Sequence, residues 1–294
     1  MNRHSFKKIY FIFCLVILLF IKSAPAMPSG VELSVETIYT SGDSGSANKV
    51  LSFRIDKTTK ADVSLENDFI VVTHKTKEKL ASTIDAYNSE VKIIFADFNF
   101  DSFTDIALST SVGYMGVNVY YDIFLYDESN QTFSKLPNSF GNPTLDNLKK
   151  ELITSEKSGP QTIGHVYQFQ NNKPYLSCSS ILLQKFDAKK ITLMNQAGKA
   201  TKSIIVSSGS QCHSNALTEK NIESKIYIEK APLYSEPNSK AVTKKYLLKN
   251  DNVFLLDYQI NANDPVDPDW LLIQYNGKST TTLWLPASSL SEVN

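Results

Sequence analysis

Short runs of alternating apolar and polar residues recur along this chain. Val31-Glu32-Leu33-Ser34-Val35 alternates, and so does Leu51-Ser52-Phe53-Arg54-Ile55. A period of two over about five residues predicts strands of a sheet with one wet face. Phe69-Ile70-Val71-Val72 is continuously apolar and predicts a strand buried on both faces. Val119-Tyr120-Tyr121-Asp122-Ile123-Phe124-Leu125-Tyr126-Asp127 predicts a long strand, continued by a segment over residues 132–136. Asn142-Pro143 interrupts this meander, and Glu151-Leu152-Ile153-Thr154-Ser155 follows as the next strand. His165-Val166-Tyr167-Gln168-Phe169 and Pro174-Tyr175-Leu176-Ser177-Cys178 flank Asn171-Asn172-Lys173 and predict a hairpin. Short strand runs with turn signals at near-regular spacing resume over residues 225–285. With Tyr, Phe, Val, Ile and Thr plentiful and long helical patterns scarce, the predicted class is all-β.

One polar stretch stands out between two apolar ones. Asp97-Phe98-Asn99-Phe100-Asp101-Ser102-Phe103-Thr104-Asp105 carries side-chain oxygens at its first, third, fifth and ninth positions. Ile93, Ile94 and Phe95 precede it, and Ile106, Ala107 and Leu108 follow it. Three carboxylates and an amide in a tight loop, with the Phe103 carbonyl, are donors suited to a hard cation such as calcium. Ser102 stands where such loops usually carry glycine for a sharp turn, and no glutamate stands at the twelfth position. The alternative is an Asp- and Asn-rich turn that bonds its own backbone and nucleates a hairpin without an ion. After it, Ser111, Gly113, Tyr114, Gly116, Asn118 and Tyr120 belong to a small, glycine-bearing hairpin tip. The expectation is that this tip projects as a partner-binding finger held rigid by the loop beneath it, the alternative being an ordinary mobile hairpin end.

Charge and composition narrow the function classes. Lys+Arg and Asp+Glu are equal at 30 each over 294 residues, so no basic field points to nucleic acid. Arg3, Lys7 and Lys8 precede an apolar run over residues 9–21, and Ala24-Pro25-Ala26 gives a small-x-small pattern. This predicts a secretory signal over residues 1–26, cleaved before Met27, with an uncleaved anchor as the alternative. Cys14 lies inside the apolar run, which argues against a lipoprotein. Removing the signal leaves Cys178 and Cys212, an even count that in an oxidising compartment predicts one disulfide, two free thiols being the alternative. Residues 27–210 are expected to form the first domain, 211–224 a polar linker and 225–294 a second domain. No HExxH, GxSxG or phosphate-cradling glycine loop occurs. His165 and Cys178 meet across the predicted hairpin, but Cys178 has a disulfide partner, so the chain is not expected to be an enzyme.

Two resemblances sharpen these expectations. Asp97-Phe98-Asn99-Phe100-Asp101 with Asp105-Ile106-Ala107 resembles the calcium loop of integrin-like FG-GAP repeats. The order continues through a Gly-Tyr loop, a Tyr-rich strand ending Leu125-Tyr126-Asp127, Asn142-Pro143, Lys150, Ser158-Gly159, Tyr167 and Asn172-Lys173-Pro174. Over residues 91–182 this order is similar to a family of secreted bacterial proteins that includes periplasmic inhibitors, or immunity proteins, against peptidoglycan hydrolases such as lysozyme-like effectors. The resemblance implies a propeller-like or curved antiparallel sheet, calcium at Asp97, Asn99, Asp101, Phe103 and Asp105, a periplasmic location and a hydrolase or antibacterial effector as partner. Residues 225–292, with Leu233-Tyr234-Ser235-Glu236-Pro237, Lys249-Asn250-Asp251 and two late tryptophans, resemble bacterial SH3-like domains. That implies a small barrel in which Tyr227, Tyr234, Trp270 and Trp284 line a groove for peptidoglycan or a protein, or else fill the core. A non-inhibitory envelope module acting through this second domain is the alternative function.

Overall fold

The computed structural model describes residues 34–39, 50–66, 69–80, 90–159, 161–212, 221–265 and 267–291, all within one unit, Leu33–Asn294. The expected signal over residues 1–26 and the turn at 41–46 lie outside the described residues. The described chain is all β, with short 3-10 turns and no α-helix.

Four antiparallel sheets follow in chain order. The first strand, β1 (Ser34–Tyr39), is reserved for the second sheet. The first sheet is the meander β2 (Leu51–Arg54), β3 (Lys60–Glu66), β4 (Phe69–Thr73) and β5 (Lys77–Leu80). The second runs β1, β6 (Glu90–Ala96), β7 (Asp105–Gly113), β8 (Asn118–Asp127) and β9 (Thr132–Gly141). The third is a six-stranded meander of β10 (Thr144–Asp146), β11 (Glu151–Ser158), β12 (Gln161–Gln170), β13 (Lys173–Leu183), β14 (Ala188–Met194) and β15 (Ala200–Ser207). The fourth holds β16 (Glu223–Lys225), β17 (Lys230–Tyr234), β18 (Val242–Leu248), β19 (Asn252–Ile260), β20 (Asp269–Asn276) and β21 (Thr280–Pro286), in the order β16-β19-β20-β21-β17-β18. Where a small SH3-like barrel was expected, the strands form one antiparallel sheet that does not close. Strand β18 ends it without reaching β16.

The second sheet is the centre because it is apolar on both faces. Along β6 to β8 alternate residues diverge. Ile93, Ile106, Leu108, Phe124 and Tyr126 pack on Phe53, Val63 and Val72 of the first sheet. Ile94, Ala107, Ile123 and Leu125 pack on Leu145 and Leu152 of the third. Burial on both sides explains why β8 reads as a nearly continuous apolar run. Farther along the third sheet, Leu183, Phe186, Ala188 and Ile205 share a core with Leu233, Val253, Leu255 and Leu271 of the fourth. Polar bridges lock the same junction: Lys190 Nζ lies 2.7 Å from Asp257, and Gln161 Nε2 donates to the Tyr258 hydroxyl at 2.8 Å.

Cys178 and Cys212 form the expected disulfide. At a separation of 34 residues it stabilises the fold by roughly 4 kcal/mol in the chain-entropy model. Of the stretch expected as a linker, Gln211 and Cys212 are tied back to the third sheet and β16 begins at Glu223. Residues 213–220 lie outside the described residues.

Candidate functional site

The loop over residues 97–105 connects β6 to β7 and folds around its own acidic side chains. Phe98 is fully buried and joins the core between the second and third sheets. This anchors one side, while Phe100 (φ 64°) and Ser102 (φ 79°) turn the chain through the left-handed region. Ser102 occupies a conformation that glycine takes freely. Its N–H donates to Asp97 Oδ2 at 2.8 Å, and the Asp101 N–H donates to Asp97 Oδ1 at 3.0 Å. Asp101 Oδ1 accepts the Phe103 N–H at 2.9 Å. Asn99 Nδ2 donates to Asp101 Oδ2 at 2.7 Å and to Asn172 Oδ1 at 3.2 Å, which ties the loop to the β12–β13 turn.

Asp105 is the deepest of these groups. Its side chain is shut off from solvent; Oδ2 accepts the Phe98 N–H at 2.8 Å and Oδ1 the Tyr126 N–H at 2.9 Å. Burial pushes its carboxyl up to about 8, against the pull of those two N–H groups, and the charges of Asp101 and Asp97 push the same way. Asp97 is also raised, chiefly by burial. Three carboxylates, an amide and a backbone carbonyl fit the chemistry of a hard-cation loop. In the arrangement described, the carboxylates turn toward backbone N–H groups. Among the described residues no three acidic, histidine or cysteine side chains converge on one ion position.

The hairpin tip differs from the sequence expectation in three respects. Strand β7 runs to Gly113, so the tip is only the 3-10 turn Tyr114–Gly116 and Val117. It lies at the opposite end of the nine-residue β7 from Asp105, roughly 27 Å away at 3.3–3.4 Å per residue. The acidic loop therefore does not sit beneath it. Asn118 and Tyr120, expected as outward donors, are held internally. Asn118 is 3% exposed; its Oδ1 accepts the Lys157 N–H at 2.8 Å and its Nδ2 donates to the Lys157 carbonyl at 2.9 Å. The Tyr120 hydroxyl donates to Glu156 Oε2 at 3.0 Å. Burial, with the Glu156 charge behind it, raises the Tyr120 hydroxyl above the usual phenol range.

What the tip presents instead is apolar. Met115 is wholly exposed, and Val112 and Val117 are about half exposed. Met115 sits at φ 55° and Gly116 at φ 93°, which gives the turn its sharpness. Ser111 and Gly113 are half-buried, and the side chain of Tyr114 lies outside the described residues. A second clamp at the base comes from Asn142: its Oδ1 accepts the Val119 N–H at 3.0 Å, and its Nδ2 donates to the carbonyls of Val117 at 3.0 Å and Ser155 at 2.8 Å. Two asparagines thus stitch β8 to β11 with backbone partners, and the tip emerges just beyond them.

The four aromatics expected to line a groove do not assemble into one. Trp270 is fully buried and Tyr234 nearly so, their rings edge-to-face at 4.9 Å inside the fourth sheet. Tyr227 is exposed and Trp284 half-buried. The exposed apolar surface of this sheet lies elsewhere, on Val242, Tyr246 and Leu248, alternate residues of edge strand β18, with the Lys230 ammonium 4.2 Å from the Tyr246 ring centre. The alternation Val242, Lys244, Tyr246, Leu248 is the signal that marks this face in the sequence.

No family model matches the chain, and no curated protein matches it. Among solved structures it is similar to a chain described as "Structure of a Xanthomonas Type IV Secretion System related protein", at 16% identity and a TM-score of 0.37, over 59% of this chain and 99% of that one. A likeness at that level carries no functional argument. The disulfide is compatible with an extracytoplasmic setting.

Proposed function

We propose that this protein is a periplasmic inhibitor, or immunity protein, that binds and blocks a peptidoglycan-degrading enzyme or toxin. The observation that carries the reading is the β7–β8 tip, a narrow turn with an exposed Met115 standing on a base clamped by Asn118 and Asn142. A glycan-cleaving enzyme has a long cleft with paired carboxylates, and its inhibitor must fill that cleft. A pre-ordered finger enters without a large ordering cost. Val112, Met115 and Val117 supply apolar contact. The Ser111 hydroxyl is a donor near the tip.

Met115→Asp is the direct test. Aspartate tolerates the left-handed backbone that Met115 occupies, so the fold and melting temperature stay unchanged. Burying a methionine contributes about 1.5–3 kcal/mol, so inhibition of the cognate hydrolase falls by roughly ten- to a hundredfold, read by cell-wall lysis. Full inhibition by this variant would remove the finger from the mechanism. Inhibition of no muramidase or amidase, together with cosedimentation with peptidoglycan, would favour the second reading. That reading is an envelope module acting through the exposed Val242–Tyr246–Leu248 face.

In the same proposal Asp97, Asn99, Asp101, Asp105 and the Phe103 carbonyl hold calcium, which would neutralise the buried acidic cluster. At a calcium concentration a hundred times the dissociation constant, linkage gives about 2.7 kcal/mol. For a chain this size that is roughly 5–10 °C in melting temperature. A melt in excess calcium that overlays the melt in chelator would leave the loop a turn without an ion.

A further inference from the structure

The third sheet has one face that no other sheet covers among the described residues. Val166, Cys178, Ile191 and Val206 form a small cluster there, and the chain leaving β15 crosses above it as a strap over residues 208–212. The strap is pinned at three points. Cys212 is bonded to Cys178, Lys189 Nζ donates to the Ser210 carbonyl at 2.8 Å, and the Lys149 ammonium donates to Gln211 Oε1.

Beneath the strap lies a cavity of about 420 Å³, within the range of pockets that hold small molecules. Ile153, Val166 and Leu182 give it an apolar floor, and Ile153 and Leu182 are only half-buried although they face it. Gly164 opens the floor, since a Cβ there would fall 2.8 Å from Ser180 Oγ. The hydroxyls of Ser155 and Ser180 border the space. Charges at the mouth balance in sign. Lys149 pairs with Asp146 at 3.4 Å, Glu151 Oε1 accepts from Gln168 at 3.4 Å, and Lys189 holds the strap. A charged ligand would gain no matching surplus and would lose hydration on entry.

We infer that this cavity binds a small uncharged amphipathic molecule, its apolar body on Ile153, Val166 and Leu182 and a hydroxyl or carbonyl oxygen at Ser155 or Ser180. The site lies on a different sheet from the β7–β8 tip, and its occupancy is independent of any hydrolase inhibition.

Three probes of equal length and different charge test it: n-hexanol, hexanoate and hexylamine, titrated into the full chain while the methyl resonances of Ile153, Val166 and Leu182 are followed. Hexanol is expected to shift them saturably, with hexanoate and hexylamine at least tenfold weaker. Leu182→Trp fills the cavity from its floor and abolishes the hexanol shifts; Gly164→Ala pushes the Ser180 hydroxyl aside and weakens binding severalfold. Met115→Asp leaves binding unchanged. Absence of saturable shifts overturns the inference, as does a charged probe that binds as well as hexanol. Unaltered binding in a folded Leu182→Trp chain also overturns it. If that variant does not fold, unaltered binding in Gly164→Ala is decisive against it.

Discussion

Asn118→Leu is expected to lower the stability of the fold by roughly 3 kcal/mol, a large loss for a substitution beside a hairpin tip. The side chains are similar in size, so little packing changes. The carboxamide, however, satisfies both the N–H and the carbonyl of Lys157, and at 3% exposure water cannot replace it without opening the junction. A buried backbone group left without a partner costs about 1–3 kcal/mol, and here two are orphaned. Urea denaturation measures the loss, with the slope unchanged if the denatured state is untouched. The same substitution separates anchoring from contact. Asn118 does not reach the surface that a partner would touch, so the folded variant should still bind but inhibit more weakly, because its finger must be ordered on binding. A stability change below about 0.5 kcal/mol, the size of an ordinary surface substitution, would show that the clamp does not hold the hairpin.

Asn118 also illustrates where sequence reading succeeds and where it stops. Strand positions followed from period two. Leu51 and Phe53 turn inward while Ser52 and Arg54 face water, as their alternation implied. Ile70, Val71 and Val72 are buried together, as an unbroken apolar run implied. The Cys178–Cys212 pairing also followed, because only two cysteines remained to choose from. Long-range polar pairing did not follow. Asn118 reads as an outward donor because polar residues near a turn usually face water, and Asn142 reads only as a break in the meander. Their partners, the backbone of Lys157 and Ser155, carry no side-chain signature that could announce them. Strands β14 and β15 were missed as well. Lys189, Lys190, Thr192, Lys202 and Ser203 dilute the apolar alternation in these strands; Lys189 reaches the strap from one face and Lys190 the fourth sheet from the other. The aromatics of the last sheet expose a further limit. Which side of a strand faces the core depends on register, and register places Tyr234 opposite Trp284 while Trp270 turns inward. The acidic loop was legible as a loop. Its distance from the tip was not, because the length of β7 depended on whether Ser109, Thr110 and Ser111 were read as strand or turn. Ser109 and Ser111 pair with β8 across an irregularity at Thr110, which makes the segment strand.

The largest single-residue loss is expected at Asp105, where alanine should cost about 4 kcal/mol. This carboxylate joins three pieces of chain: the loop through the Phe98 N–H, the start of β7 through its own backbone, and the end of β8 through the Tyr126 N–H. Alanine removes both acceptors at a site without water access, and each orphaned N–H carries a desolvation cost of about 1–3 kcal/mol. Asparagine should cost about half as much, since its oxygen still accepts one N–H while its amide nitrogen faces the other donor to donor. That ordering, alanine worse than asparagine, distinguishes a backbone anchor from a charge that matters only for an ion. If Asp105 acted solely by its charge, the two replacements would be equivalent, and in chelator both would relieve the repulsion from Asp97 and Asp101 and stabilise the chain. Denaturation of both variants in chelator therefore decides the matter. A loss graded with acceptor number means that the carboxylate builds the loop whether or not a cation enters it. A gain in both means that the acidic cluster is a strained site relieved by losing a charge.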